Sequence, residues 1–175
     1  GVFVGRIARE KGIFDLVKAW QRVISVKNDA RLLVIGSGPD IDELIRVVKR
    51  SDLDKNVLVK GRCSDREMYT LMKASRVFVF PSYFEGWGLA VAEALACGLP
   101  VVCYDLPALR EVFGGCGSVF FVPVGEVESL AASVLRVLEM NEIRQLAEAS
   151  RAYAQRYNWK RVAVRDLQII ESLVH

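Results

Sequence analysis

RVFVFPSYFEGWGLAVAEALACGLPVVCYD, residues 76–105, decides how the chain folds. It opens on an apolar run, VFVF at 77–80, that stops at Pro81. A loop with two glycines follows, then a run of Leu, Ala and Val without a breaker, then Gly98, Pro100 and a second branched run at 101–103. Short β-branched and aromatic runs bounded by Pro and Gly predict strands. The longer run between them predicts a helix. Strand, helix and strand in one such stretch make a βαβ unit, whose two strands must be parallel.

The helix carries an oddity. Glu93 is the only charged side chain between Glu85 and Asp105, and it stands among Val91, Ala92, Ala94, Leu95 and Ala96. A helix apolar all round is expected to be buried, and an unpaired buried carboxylate costs several kcal/mol. The favourable field at a helix N-terminus, about 0.3–1 kcal/mol, is too small to offset that. Glu93 therefore needs a partner, either a bound polyol such as ribose or a protein group such as an Arg or a backbone N–H. It falls one turn into the helix and is expected to reach the same cavity as Glu85. Gly86 and Gly88 let the loop backbone approach a ligand closely. The helix start near Leu89 offers free N–H groups that suit a phosphate.

The same alternation runs outward in both directions. Strands are expected at 2–4, 32–35, 57–59, 77–80, 101–103 and 119–122. Helices are expected near 12–25, 41–50, 65–74, 89–97 and 108–113, and after the last strand near 127–140, 142–157 and 160–174. The fold class is α/β: a single Rossmann-like domain with a parallel six-stranded sheet and helices on both faces. Ligands of such sheets bind beyond the carboxyl ends of the strands, so function belongs in the loops that follow them.

Four of those loops matter. GRIAREKG, residues 5–12, sets Arg6 at a strand end and Lys11 at a helix start, a good anion site or a plain solvated basic loop. GSGPD, residues 36–40, is a glycine turn that could approach a nucleotide or simply cap the next helix. Asp40 and Asp42 form a DxD pair, but both follow Pro39 at a helix start, where capping and dipole favour acids without any metal. GRCSD, residues 61–65, places Arg62 and Cys63 where a base could meet backbone groups, with Ser64 or Asp65 as helix cap. PSYFEGWG, residues 81–88, is the loop described above.

The bulk composition narrows the classes. With 175 residues, 52% hydrophobic and 26% charged, the chain can bury a full core. A net charge of +3, with Lys and Arg scattered, gives no footprint for nucleic acid. Cys63, Cys97, Cys103 and Cys116 form no CxxC pair, and the one histidine is His175, so no zinc set is complete. The cysteines read as free thiols of a reducing, cytoplasmic compartment. No apolar run is long enough to span a bilayer and no signal peptide is recognisable. The chain opens without Met inside a strand, which predicts a piece of a longer protein.

At this point a family resemblance is specific. Residues 85–93, EGWGLAVAE, match the E-x7-E motif of the retaining glycosyltransferases of family 4, the glycosyl transferases group 1 domain. GRIAREKG resembles the family's first strand and Arg/Lys loop, VIGSGPD its second-strand turn, and NWKRVA the segment leading into its last helix. The resemblance covers nearly the whole chain. It implies the C-terminal, donor-binding domain of a GT-B enzyme, two Rossmann-like domains with the active site between them. The N-terminal acceptor domain is absent from residues 1–175. It further implies that Arg6 and Lys11 hold the donor diphosphate and that Glu85 contacts the sugar. Gly86, Trp87, Gly88 and Leu89 would present N–H groups, Glu93 would bind the ribose, and Arg62 and Cys63 would flank the base. The family commonly has Phe where the larger Trp87 stands, and the backbone role is expected to be the same. The substrate is a nucleoside-diphosphate sugar and no cofactor or metal is implied. The acceptor is a sugar, lipid or small molecule, and the full protein would work in the cytoplasm or at the cytoplasmic face of a membrane.

Other classes fit less well. A non-catalytic nucleotide- or sugar-binding module would have no need of Arg6, Lys11, Glu85 and Glu93 together. A nicotinamide dehydrogenase domain would carry GxGxxG after its first strand and an acid at the end of its second, and neither is present. A GT-B epimerase or phosphorylase is not expected to carry this E-x7-E loop. The isolated chain is expected to bind donor weakly and to transfer nothing. Trp159, Ala163, Leu167, Ile170 and Val174 fall on one stripe of the last helix. That stripe either covers the domain's own core or packs on the N-terminal domain, as in the family.

Overall fold

The structure, a computed structural model, describes residues 1–174 and the side chains of all of these except residues 159 and 174. Six strands alternate with helices: β1 Val2–Val4, α1 Ile13–Val26, β2 Leu32–Ile35, α2 Ile41–Arg50, β3 Val57–Gly61, α3 Asp65–Lys73 and β4 Phe78–Phe80. Then come α4 Leu89–Ala96, β5 Val101–Tyr104, α5 Pro107–Phe113, β6 Val119–Val122, α6 Val127–Glu139, α7 Ile143–Ala154 and α8 Trp159–Val174. Every expected element is present, with ends shifted by at most two residues, the most at β3, which runs on to Gly61. The exception is the helix expected over 142–157, which stops at Ala154 and tightens into a 3-10 turn at Gln155–Tyr157 before the chain turns into α8.

All pairings are parallel, in the order β3-β2-β1-β4-β5-β6. The chain winds outward from β1 through β2 to β3, crosses back to β4, and winds the other way to β6. The order therefore reverses between β1 and β4, the place in such sheets where ligands bind. Central parallel strands are covered on both faces, so they read as unbroken apolar runs. Accordingly β1, β4 and β5 are buried at every position. Helix α1 packs against α2 and α6, and α4 against α7.

Local chemistry sets the helix ends. The Ser64 hydroxyl accepts from the Glu67 N–H at 3.3 Å, capping α3. Helix α2 opens on Asp42 and Glu43 and closes on Lys49 and Arg50, each matched to its end of the dipole. Pro107 occupies the first turn of α5, where its missing N–H is harmless. Asp40 departs from the expected cap. Its carboxylate accepts from the Arg9 N–H at 2.9 Å and so ties the first loop to the second rather than sealing α2.

Helix α8 corrects the idea that its stripe covers the domain's own core. Leu167 and Ile170 are both 58% exposed, and Leu173 is 79% exposed. Ala163 is exposed as well. The helix packs on the 3-10 turn at its base. The Trp159 and Val174 side chains, and His175, lie outside the described residues.

Candidate functional site

The site lies at the crevice between β1 and β4. Two loops meet there, residues 5–12 after β1 and residues 81–88 after β4. Backbone and side-chain bonds stitch them together. The Tyr83 N–H donates to the Glu10 carbonyl at 2.9 Å. The hydroxyl of Ser82, fully buried, lies 3.3 Å from the same carbonyl and 3.0 Å from that of Phe84. Gly12 is left-handed at φ 67, and a Cβ there would collide with the Pro81 carbonyl oxygen. Only glycine lets the loops approach this closely.

The loop after β2 closes the other side. The Ile7 N–H donates to the Ser37 carbonyl at 3.0 Å, and the Asp40 N–H to the Ile7 carbonyl at 3.1 Å. A Cβ on Gly38 would strike the backbone of Ile7. These contacts give the glycine turn a packing role, whatever it binds.

Lys11 and Glu85 meet across the two loops, with Nζ 2.6 Å from Oε1. Both are largely shielded, their side chains 23% and 12% exposed, so the attraction is screened less than at an open surface. Arg6 is different. Its side chain is 65% exposed and loosely paired with Glu10 at 3.9 Å, so it can swing toward an anion at little cost. Arg6, Lys11, Glu85, Trp87, Gly88 and Leu89 line one cavity of about 270 Å³, together with Gly5 and Ala90. A second cavity of about 560 Å³ shares Val4, Gly5 and Arg6 with the first, and extends past Gly36–Pro39 to Arg62, Cys63, Asp65 and Met68. Arg6 thus stands where the two join. A still larger hollow, about 620 Å³, lies at the opposite ends of the strands around Leu32 and Val57, away from all these side chains.

Helix α4 begins at Gly88, left-handed at φ 92 with Leu109 and Phe113 packed where a Cβ would go. The Val91 and Ala92 N–H groups bond back to the Gly88 carbonyl. The Leu89 and Ala90 N–H groups precede the first intrahelical bond, and both residues line the cavity. Gly86 is exposed with open space around it. Leu89 is 70% exposed, so α4 is not buried all round as its composition suggests.

Trp87 sits at the back of the loop in an aromatic cluster. It meets Phe113 edge-on at 5.6 Å and Tyr157 edge-on at 5.2 Å. The Tyr153 and Tyr157 hydroxyls both donate to the Val112 carbonyl, at 2.7 and 2.9 Å. This ties the loop to α5 and to the turn below α8.

Glu93 is half-buried rather than buried, and it has a partner, which is a protein group. The Tyr69 hydroxyl on α3 donates to Oε1 at 2.9 Å. That bond, with burial, pushes the tyrosine up to about 12, since losing the proton would set two negative oxygens face to face. Glu93 is absent from the lining of the cavity that holds Glu85. Sequence reasoning named an Arg or a backbone N–H as the protein alternative and missed Tyr69. The only available signal was a phenol in the helix after β3, with nothing to pair it with Glu93.

The four cysteines are free, and Cys97, Cys103 and Cys116 are buried. Burial pushes the Cys103 thiol up to about 12. Among the described residues no His, Cys, Asp and Glu side chains gather in a metal-binding group, and no helix is long and apolar enough to cross a membrane.

The sequence and the fold are similar to those of known proteins. The family described as glycosyl transferases group 1 matches residues 2–156. The O-antigen chain mannosyltransferase B of Escherichia coli is 30% identical over 98% of the chain and 45% of its own length. The pneumococcal O-GlcNAc transferase structure, solved with UDP and GlcNAc, superposes with a TM-score of 0.86 at 22% identity, covering 99% of this chain and 35% of that one. The C-terminal domain of a glycosyl transferase group 1 protein from Francisella tularensis superposes with a TM-score of 0.76 at 22% identity, covering 90% and 85%. The chain spans less than half the length of the curated relatives it matches. With the family match running from the first strand to the turn before α8, the chain belongs to the glycosyl transferases group 1 family.

Proposed function

We propose that this chain is the C-terminal, donor-binding half of a retaining GT-B glycosyltransferase of family 4. In this reading it takes a nucleoside-diphosphate sugar, with UDP and GDP as the expected carriers. An N-terminal Rossmann domain of the same protein presents the acceptor, a sugar, lipid or small molecule with a free hydroxyl. The observation that carries the reading is the convergence of Arg6, Lys11, Glu85 and the α4 N-terminus where the strand order reverses. The E. coli relative, named a mannosyltransferase, and the pneumococcal neighbour, holding UDP and GlcNAc, support the same substrate class.

The chemistry follows from charge. The bond between the sugar's anomeric carbon and the β-phosphate oxygen breaks, and negative charge collects on the departing diphosphate. Arg6, Lys11 and the N–H groups of Gly86, Trp87, Gly88 and Leu89 stabilise it there. The acceptor oxygen bonds the anomeric carbon on the face the leaving group vacates, and its proton passes to the departing phosphate oxygen. Glu85 holds the sugar hydroxyls, Arg62 and Cys63 flank the base, and Glu93 takes the ribose with the oxygen that Tyr69 leaves free. The substrate brings its own activated bond, so the reaction calls for no cofactor. The work is done in the cytoplasm or at the cytoplasmic face of a membrane. The exposed apolar residues of α8 pack on the N-terminal domain, and residues 1–175 alone transfer nothing.

The test is calorimetric titration of the full-length protein with UDP, GDP, ADP and NAD, beside Arg6→Ala and Glu93→Ala. Saturable binding of one nucleoside diphosphate, weakened about tenfold or more by each change, is expected. Absence of nucleoside diphosphate binding, or NAD binding that ignores both substitutions, would overturn the reading.

A further inference from the structure

Among the described residues, the buried polar or charged side chains are Asp15, Ser82, Ser118 and Ser150. Ser118 and Ser150 hydroxyls donate to carbonyls of Leu146 and Leu99 and need no further account. Asp15 and Ser82 both sit where the two site loops meet. Asp15, on the first turn of α1, is 8% exposed and is the only charged residue of the four.

The plain explanation of Asp15 is the helix dipole, but an exposed carboxylate at the same position would serve the dipole as well. Its actual partners are two phenols. The Tyr104 hydroxyl, on the innermost side, donates to Oδ2 at 2.8 Å, and the Tyr83 hydroxyl donates to the same oxygen. Lys18 lies 3.6 Å from Oδ1. Hydrogen bonding to Asp15 raises the Tyr83 hydroxyl. Burial, then the bond to Asp15, raises that of Tyr104.

Tyr104 is fully buried and needs an acceptor wherever one can be placed. Tyr83 is not in that position. It is 43% exposed, so water could satisfy its hydroxyl. It nevertheless reaches inward to Asp15, while its own N–H donates to the Glu10 carbonyl. Its ring stands edge-on to Tyr104 at 5.4 Å. Tyr83 lies two residues before Glu85, and Glu10 immediately precedes Lys11. One residue is therefore held at its main chain by the loop of Lys11, and at its side chain by the helix that loop leads into.

We infer that Tyr83 is a positioning residue, anchored on Asp15, that fixes Glu85 and Lys11 relative to each other. The inference rests on the donor-site reading above. A misplacement of about 1 Å at a reacting centre can cost on the order of 100-fold in rate, so a hydroxyl remote from the substrate can still govern turnover.

Tyr104→Phe is the control, because it removes a hydroxyl from the same carboxylate at a residue of β5 that belongs to neither loop, and keeps the ring that packs on Tyr83. In the full-length protein, with transfer from its nucleoside-diphosphate sugar measured at saturation, Tyr83→Phe is expected to lower kcat by about five- to tenfold. Its donor KM should change less than its kcat. Tyr104→Phe should lower kcat less than about twofold, yet lower Tm more than Tyr83→Phe does, because its hydroxyl is the more deeply buried. Activity and stability would then rank the two variants in opposite orders. Losses that simply follow Tm, or a Tyr83→Phe enzyme within about twofold of wild type in both constants, would overturn the inference. A wild-type protein that neither binds nor transfers from any nucleoside-diphosphate sugar would sink the donor-site reading and the positioning role of Tyr83 with it.

Discussion

Lys11 Nζ lies 2.6 Å from Glu85 Oε1, joining the loop after β1 to the loop after β4. Each side chain satisfies the other. Nζ carries three protons, and the pair uses one, so Lys11 can keep Glu85 while it binds an anion.

That pairing makes the two single substitutions unequal. Lys11→Met leaves a carboxylate with a 12% exposed side chain and no cation beside it. Denaturant unfolding should show a loss of about 1–3 kcal/mol. Glu85→Gln keeps an acceptor for Nζ and should cost less. In the transfer assay Lys11→Met should lower kcat by about 10²–10³, the range for removing one donor from a developing anion. A Lys11→Met protein with wild-type stability would show that the pair contributes nothing to the fold.

Gly12 and Gly86 separate conformation from mere loop placement. At Gly12, φ is 67 and the Pro81 carbonyl occupies the side-chain direction. Gly12→Ala should cost at least about 1–2 kcal/mol from the left-handed backbone alone, with the collision adding to it. Gly86 has open space and no positive φ. Gly86→Ala should move stability by no more than about 0.5 kcal/mol. Equal losses in thermal unfolding would contradict the close approach of the two loops.

The fold was legible because its signals are local. VFVF stopping at Pro81 and LLVI stopping at Gly36 each announce a buried parallel strand, and the strand–helix alternation leaves few topologies. The loop at 81–88 was legible for the same reason, since Glu85, Gly86 and Gly88 lie within a few residues of each other. What stayed hidden depends on partners far apart in the chain. Tyr69 and Glu93 are 24 residues apart, and Tyr83 and Tyr104 lie 68 and 89 residues from Asp15. Periodicity places each on a face of its own element and says nothing of which face it will meet. Glu93 shows the limit well: its apolar neighbours pointed to burial and a partner, and only packing could say that it is half-buried and that the partner is a phenol.

The phenols also set how the protein meets alkali. Tyr69, Tyr83, Tyr104 and Tyr153, four of the five tyrosines, are all raised, the first by its bond to Glu93 and the second by its bond to Asp15. A phenol raised in the folded state adds stability below its unfolded value, near 10, and loses that contribution as pH climbs through the folded value. For Tyr69 the window runs from 10.0 to about 12. Stability should therefore fall with pH across that window, and less steeply in Tyr69→Phe. Absorbance at about 295 nm should show tyrosines ionising together with loss of structure. Early ionisation of most of them in folded protein, near the unperturbed value of about 10, would contradict the hydrogen bonds to Asp15 and Glu93.

Trp87 supplies the last prediction. Its ring packs edge-on against Phe113 and Tyr157, and its backbone belongs to the proposed phosphate-binding loop. The ring and the backbone therefore have separable roles. Trp87→Phe keeps an aromatic in contact with both neighbours and should cost less than about 1.5 kcal/mol, with nucleotide affinity preserved. Trp87→Ala empties the space against Phe113 and Tyr157. Because the ring is only half-buried, the loss should fall somewhat below the roughly 3–5 kcal/mol of a fully buried aromatic. Nucleotide affinity should fall in Trp87→Ala alone, because the loop backbone loses its support. If Trp87→Phe weakens nucleotide binding as much as Trp87→Ala while unfolding like wild type, the indole itself touches the ligand, and the ring does not act from behind the loop.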